Sequence, residues 1–399
     1  MLAPTGRKPR FPALALDRVI AALDRWPACG EPLYNFAPGQ SSFNPWKALG
    51  QEPPVIPSER VLRYGDLAGS QPLRELLAQE LSLRGGIAID PGQICITNGG
   101  TEAIMLALQL LMHPGDELLT SHACYPGYRH LHRFFGSSHR RFALRRDFNP
   151  DLDSLRHDIS DNRRQVLIVN SPSNPFGTTL SDGELAAIAE LTLPVVFDEV
   201  YQPLALGSRP VPSALRFTNR HFVVGSFAKS LAVPGLRLGY LVSPPHLAEE
   251  IVNIKALVSV CSSNAAQYLL EHLLLNWNLL ESLHRDYLRA HYACFMDVCR
   301  GLGLELMTQP DAGLFATLKV APELGADTTA IAIELAQRHG IGVVPSSDFQ
   351  DEGSPFLRLN FSVPRQQIEP GLLRLQDALQ SMPTQSDPSM ASRSLAEIW

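Results

Sequence analysis

Through the middle of the chain, short strand-like segments alternate with stretches in which apolar residues return every three or four positions. Strand candidates occupy 94–96, 117–120, 165–169, 193–197, 221–224 and 238–242. Several of them are continuously apolar, as strands covered on both faces must be when neither side meets water. The helical spacing falls over 71–84, from Thr101 through Leu111, and over 181–191. Gly85 and Gly86 close the first helix, and Gly99 and Gly100 mark a tight passage from strand to helix before Thr101. Strands and helices in alternation predict an α/β layer architecture with a mostly parallel sheet, rather than a sandwich or a helical bundle.

The pattern changes after residue 240. Long helical periodicity fills 247–300, and strand candidates at 314–320 and 356–361 then frame a helix at 329–339. This predicts a smaller α+β unit. Residues 11–50, interrupted by Pro32, Pro38 and Pro45, read as an irregular or short-helical arm packed against that unit. The expected division is an arm over 1–50, a large domain over 51–285, a small domain over 286–380 and a flexible tail over 381–399. Leu395 and Trp399 are the tail residues able to dock it.

Composition narrows the classes. With 399 residues, 45% of them hydrophobic and 19% charged, the chain has material for a sizeable core and is unlike a disordered or collagenous sequence. Its formal charge of −6 gives no reason to expect a nucleic-acid or anionic-membrane partner. The positively charged residues 1–10 are followed by no apolar leader core, and no stretch reads as a membrane span. Cys29, Cys95, Cys124, Cys261, Cys294 and Cys299 are scattered without zinc-like spacing, which predicts free thiols and a cytoplasmic protein. His122, His130, His132 and His139 lack the spacing of a metal site, and no metal is expected; His122 is a minor candidate for approaching substrate.

Polar residues gather just after the strands, where open α/β sheets place their sites. After 94–96 comes Thr97-Asn98-Gly99-Gly100-Thr101, which either cradles phosphate on helix-start amides or makes an ordinary β-α turn. After 166–169 comes Asn170-Ser171-Pro172-Ser173-Asn174-Pro175, and after 195–197 comes Asp198-Glu199-Val200-Tyr201. After 221–224 comes Gly225-Ser226-Phe227-Ala228-Lys229-Ser230, with Arg237 shortly beyond. Each residue alone has a plain reading: Lys229, Arg237 and Arg358 as surface or paired charges, Asp198 as a cap, Asn174 as a turn residue, and the tyrosines as packing.

In this order, however, the segments resemble fold-type I pyridoxal-phosphate enzymes, specifically the class I/II aminotransferase family, over residues 30–375. The resemblance implies an aminotransferase-like large domain and a smaller α+β domain, with pyridoxal 5'-phosphate as cofactor. It matches Lys229 to the lysine that attaches the cofactor, Asp198 to the partner of the pyridine nitrogen, and Asn174 and Tyr201 to the neighbours of the ring hydroxyl. Gly100, Thr101, Ser226 and Arg237 match the phosphate site, and Tyr125 the aromatic that stacks on the ring. Arg358, with Asn174 beside it, matches the clamp on the substrate α-carboxylate. Tyr64 matches a residue that reaches the neighbouring subunit's phosphate, implying a homodimer with shared sites. Ala228 departs from the pattern, which often carries a hydroxyl there. Phe43 and Trp46, in an arm that only loosely matches, are expected to pack the arm or line an entrance. The implied activity is amino-acid:2-oxo-acid aminotransfer. A related β/γ-elimination, replacement or cyclisation enzyme is the alternative, and a non-enzymatic cofactor-binding regulator a further one.

Overall fold

The computed structural model of the chain describes residues 11, 13–26, 30–160 and 162–383. The charged start at 1–10, Cys29, and the Leu395 and Trp399 docking residues lie outside the described residues.

Seven strands form the central sheet, in the spatial order Ile94–Thr97, Gly239–Val242, Phe222–Ser226, Val195–Asp198, Gln165–Asn170, Glu117–Ser121 and Ser138–Phe142. Neighbours from Phe222–Ser226 to Ser138–Phe142 are parallel, while Gly239–Val242 runs antiparallel to both of its partners. Side chains alternate between two buried faces. Ile94, Ile96, Leu167, Val169, Val195 and Phe197 join one core, and Cys95, Val166, Ile168, Val196 and Val224 join the other. Burial on both sides is why these strands read as unbroken apolar runs.

Helices cover each face. Gln71–Gly85 buries Leu73, Leu77 and Leu81 on one stripe and stops at Gly86, whose φ of 63° suits a left-handed cap. Each such leucine, removed from water, contributes about 2 kcal/mol. On the opposite face lie Gly100–Leu111 and Ala248–Val258. The edge strand Ser138–Phe142 was not anticipated. Its sequence, Ser-His-Arg-Arg-Phe, buries only Phe142, because an edge strand with an open flank needs little apolar cover.

A second core surrounds a three-stranded antiparallel sheet, ordered Val344–Pro345, Phe356–Asn360 and Phe315–Lys319. Helices Ala15–Leu23, Thr328–His339 and Arg365–Ser381 pack around it. The arm joins this part: Tyr34–Asn35 pairs in parallel with Ile341–Gly342. Helix Trp277–Gly301 links the two cores, burying Trp277 and Leu280 in the first and Leu288, Phe295 and Cys299 in the second. The expected division at 285/286 falls inside this helix.

Candidate active site

The site is built on one shelf, formed by the carboxyl ends of the parallel strands and the amino end of the antiparallel strand Gly239–Val242. Asn170 lies opposite Asp198 in register, Asp198 opposite Val224, and Gly239 opposite both Thr97 and Ser226. Residues distant in sequence therefore emerge side by side.

At one end of the shelf the chain turns from Thr97 into helix Gly100–Leu111. The Thr97 hydroxyl donates to the Gly99 carbonyl at 2.9 Å. Gly99 has φ +80°, and a Cβ there would meet the Arg237 guanidinium at 3.0 Å. Gly239 lies beneath: a Cβ on it would come within 2.7 Å of the Gly99 backbone. The turn thus needs glycine for both its dihedral and its closeness to the sheet. Arg237 itself sits in the left-handed region at φ 54°, an unfavourable conformation for a side chain of that size and one often found at functional sites. Helix-start amides, the Thr101 and Ser226 side chains and Arg237 converge here. That chemistry suits a phosphate dianion.

In the middle, Asp198 is buried at the end of its strand. It accepts hydrogen bonds from the Val200 amide at 3.1 Å and from the Tyr128 hydroxyl. Burial raises its pKa to about 6, against the lowering effect of those donors and of Lys229. The Asn170 side chain donates to the Asp198 carbonyl at 2.9 Å and accepts from the Asn174 amide at 2.7 Å, which fixes the 170–177 turn. Lys229 follows the strand in the short helix Phe227–Ser230 and donates to the Gly39 carbonyl. Burial, aided by Arg358 and Arg237, lowers its pKa to about 8, so a neutral amine is within reach near physiological pH. Tyr201 is buried, its ring centre 5.8 Å from the Lys229 amine. Tyr125 packs edge-on to Tyr128 at 5.3 Å.

The far end comes from the second core. Arg358, buried on strand Phe356–Asn360, donates to the Ala37 carbonyl at 2.7 Å and to Asn174 Oδ1 at 3.3 Å. Its guanidinium lies 3.9 Å from the Phe315 ring centre, and its Nε is buried with no hydrogen-bond partner. Burial lowers its pKa to about 10, leaving it cationic at neutral pH. Two residues along the same strand face, Asn360 donates to the carbonyls of Pro38 and Gln40, each at 2.6 Å, pinning the arm against the site.

A cavity of about 200 Å³ brings together Gly100, Thr101, Tyr125, Asn174, Asp198, Tyr201, Ser226, Lys229 and Arg237. Arg358 adjoins it through Asn174. Tyr64 is not brought in within one chain and is 85% exposed. Phe43 stacks on His284 at 4.7 Å and Trp46 packs on the first core, so both serve as packing residues of the arm. His122 does not line the cavity, whereas Ala228 does. Sequence reasoning missed Tyr128, Asn170 and Asn360. Tyr128 lies three residues after Tyr125 on a helix start, and Asn360 shares a strand face with Arg358; those spacings were the available signals.

The profile of the family "aminotransferase class I and II" matches residues 32–375. The chain belongs to that family. Family members use pyridoxal 5'-phosphate, and this aminotransferase chain is accordingly a pyridoxal-phosphate-dependent transaminase. Its relatives include the (5-formylfuran-3-yl)methyl phosphate transaminase of Methanocaldococcus jannaschii, 25% identical over 378 residues, covering 92% of this chain and 97% of the relative. The valine–pyruvate aminotransferase of Mycobacterium tuberculosis is 27% identical over 376 residues, covering 91% and 95%. Among solved structures, an aminotransferase from Mycobacterium tuberculosis superposes with a TM-score of 0.82 at 25% identity, covering 96% of this chain and 99% of that one. A mutant of Thermus thermophilus aspartate aminotransferase gives 0.82 at 23% identity, covering 94% and 100%, a likeness of fold. The cofactor fits what the cavity offers: an anion cradle at one end, a buried carboxylate in the middle and a buried amine of depressed pKa beside it.

Proposed function

We propose that the protein moves the amino group of an α-amino acid to a 2-oxo acid, with Lys229 as the attachment point and proton carrier and Arg358 as the carboxylate clamp. The supporting observation is that a buried amine and a buried guanidinium approach one cavity from different cores, both bound to the same arm segment, residues 37–40. When bound, the pyridoxal ring supplies an electron sink for the carbon from which the amino group departs. Asp198 holds a negative charge for the ring nitrogen, and Tyr128 and the Val200 amide orient that carboxylate. Asn174 and Tyr201 would offer polar groups to the ring, and Tyr125 would pack on it. Gly100, Thr101, Ser226 and Arg237 would hold the phosphate. Lys229, neutral in part near pH 8, accepts a proton at Nζ and returns it. Arg358 offers Nε and Nη donors in a planar fork that matches a carboxylate.

Residues 51–285 would then form the cofactor-binding unit and 286–380 the unit that closes on substrate, with 1–50 as its arm. A homodimer belongs to the proposal. Tyr64 lies among exposed Val55, Val61 and Leu62. This segment packs on helix Asn264–Leu274, where Asn264 donates to the Arg63 carbonyl at 3.0 Å. Such an apolar surface suits a second copy of the chain, whose site Tyr64 would complete. Among the described residues no helix is long and apolar enough to cross a membrane. Five described cysteines are free, which supports a cytoplasmic setting.

The test combines borohydride reduction and peptide mapping with turnover on a panel of amino acids, each with a 2-oxo-acid acceptor. The expected result is a pyridoxyl adduct on Lys229 and a new amino/keto pair. Release of ammonia or a cyclised product without consumption of acceptor would replace this reading with elimination or cyclisation.

A further inference from the structure

Behind the phosphate turn lies an ion pair between a buried lysine and a half-buried glutamate, with no part in holding the ring, the substrate or the arm. Glu102, the third residue of helix Gly100–Leu111, accepts from the Asn98 amide at 2.6 Å and from the Asn98 side chain at 3.2 Å. Lys255 reaches it from helix Ala248–Val258, with Nζ 2.9 Å from Glu102 Oε2 and 3.0 Å from Ser259 Oγ. Lys255 is fully buried, and neither member of the pair lines the cavity. A lysine sealed from water loses most of its hydration and is retained only where a partner compensates.

The pair acts on the turn in two ways. By taking the Asn98 amide, Glu102 fixes the loop's entry, so that Gly99 can adopt its positive φ and the amides after it stay aimed at the cavity. The carboxylate also places a negative charge within one helical turn of the residues that would hold a dianion. Opposed charges on Lys255 and Glu102 leave the dianion facing a neutral pair.

We propose that Glu102 and Lys255 are positioning residues for the phosphate: Glu102 sets the turn, and Lys255 cancels its charge so that the dianion is not repelled. This rests on the reading of the cavity as a pyridoxal 5'-phosphate site. Dissociation constants of the cofactor-stripped protein are to be measured for pyridoxal 5'-phosphate, for pyridoxal lacking the phosphate, and for inorganic phosphate. The ratio of pyridoxal to pyridoxal-phosphate constants reports the phosphate alone. Lys255→Met is expected to reduce that ratio by about tenfold and to weaken inorganic phosphate in parallel, the size of one charge-pair effect in a partly buried setting. Adding Glu102→Gln to Lys255→Met is expected to restore the ratio, because the uncompensated charge is gone. A purely structural pair would weaken both vitamers together and would not show this rescue. If K255M does not fold, E102Q and the double variant are compared, and loss of Lys255 should still lower the ratio. An unchanged ratio in K255M, or in the double variant relative to E102Q, overturns the proposal; so does a double variant no better than a folded K255M. A wild-type protein that does not distinguish the two vitamers would overturn the cofactor reading itself.

Discussion

At its phosphate end the cavity rests on the strands of one sheet, whereas at its carboxylate end it is assembled from two cores and the arm. Gly99, Gly100 and Thr101 are consecutive, and Ser226 and Arg237 bracket the short helices Phe227–Ser230 and Pro234–Leu236, all of them adjoining neighbouring strands of one sheet. Arg358 instead holds the carbonyl of Ala37, 321 residues away, and meets Asn174 across 184. The first end keeps its shape as long as the large sheet is folded. The second exists only while the two cores and the arm are docked. A ligand bound at both ends therefore reports on two different things: the integrity of a sheet, and the relative placement of two bodies.

Removal of Arg358 has the largest expected effect, because it strips the carboxylate end and leaves the sheet intact. R358A is expected to lower kcat/KM for amino acids by about a hundredfold or more, the scale of losing a charged, bidentate partner, with cofactor affinity unchanged. Steady-state kinetics and cofactor titration on the same preparation check it. Weakened cofactor binding would mean that the two ends are not separable.

A smaller effect is expected in the middle of the cavity. The Lys229 amine is reactive only when neutral, and its pKa is lowered to about 8, first by burial and then by Arg358 and Arg237. The rate of cofactor attachment to the stripped protein should rise about tenfold per pH unit below that value and level off above it. In R358A one of the two cations is gone, so the midpoint should move to higher pH. A profile that stays in place would show that the carboxylate end does not influence the amine. The smallest change is expected for T101A, which removes one of several phosphate donors. It should weaken cofactor binding by about five- to tenfold, the worth of one ordinary hydrogen bond of about 1 kcal/mol where other donors still hold the anion, without altering amino-acid KM. An altered KM would contradict the separation of the ends.

The same contrast explains which parts of the molecule were legible in the sequence. Strand-end residues of a parallel sheet are delivered to one edge by the fold itself, so the segments holding Asp198, Asn174, Lys229 and the Gly100–Thr101 turn stood out as apolar runs with polar ends, while the role of each residue came from the resemblance. Arg358 was legible through resemblance. Its partners were not, since nothing local links Ala37, Pro38 or Gln40 to a strand more than 300 residues later. Tyr128 was overlooked because its apolar ring and helical position read as packing; only the buried hydroxyl against Asp198 shows its second use. Ser138–Phe142 escaped for a different reason: its polar residues satisfy an edge and carry none of the apolar signal by which its neighbours were found.

A single rod shared by two bodies constrains how the molecule can be taken apart. Helix Trp277–Gly301 has 25 residues and, at 1.5 Å each, runs about 37 Å, with Trp277 and Leu280 embedded at one end and Phe295 and Cys299 at the other. A cut between residues 285 and 286 would split this rod in mid-span and leave each fragment ending in a frayed half-helix. Grafting the smaller body onto another scaffold would therefore require carrying the whole helix along. Swapping substrate-recognition segments between relatives would best use junctions in the loops at 302–314 and ahead of Trp277, where no helical hydrogen bond of the rod is broken.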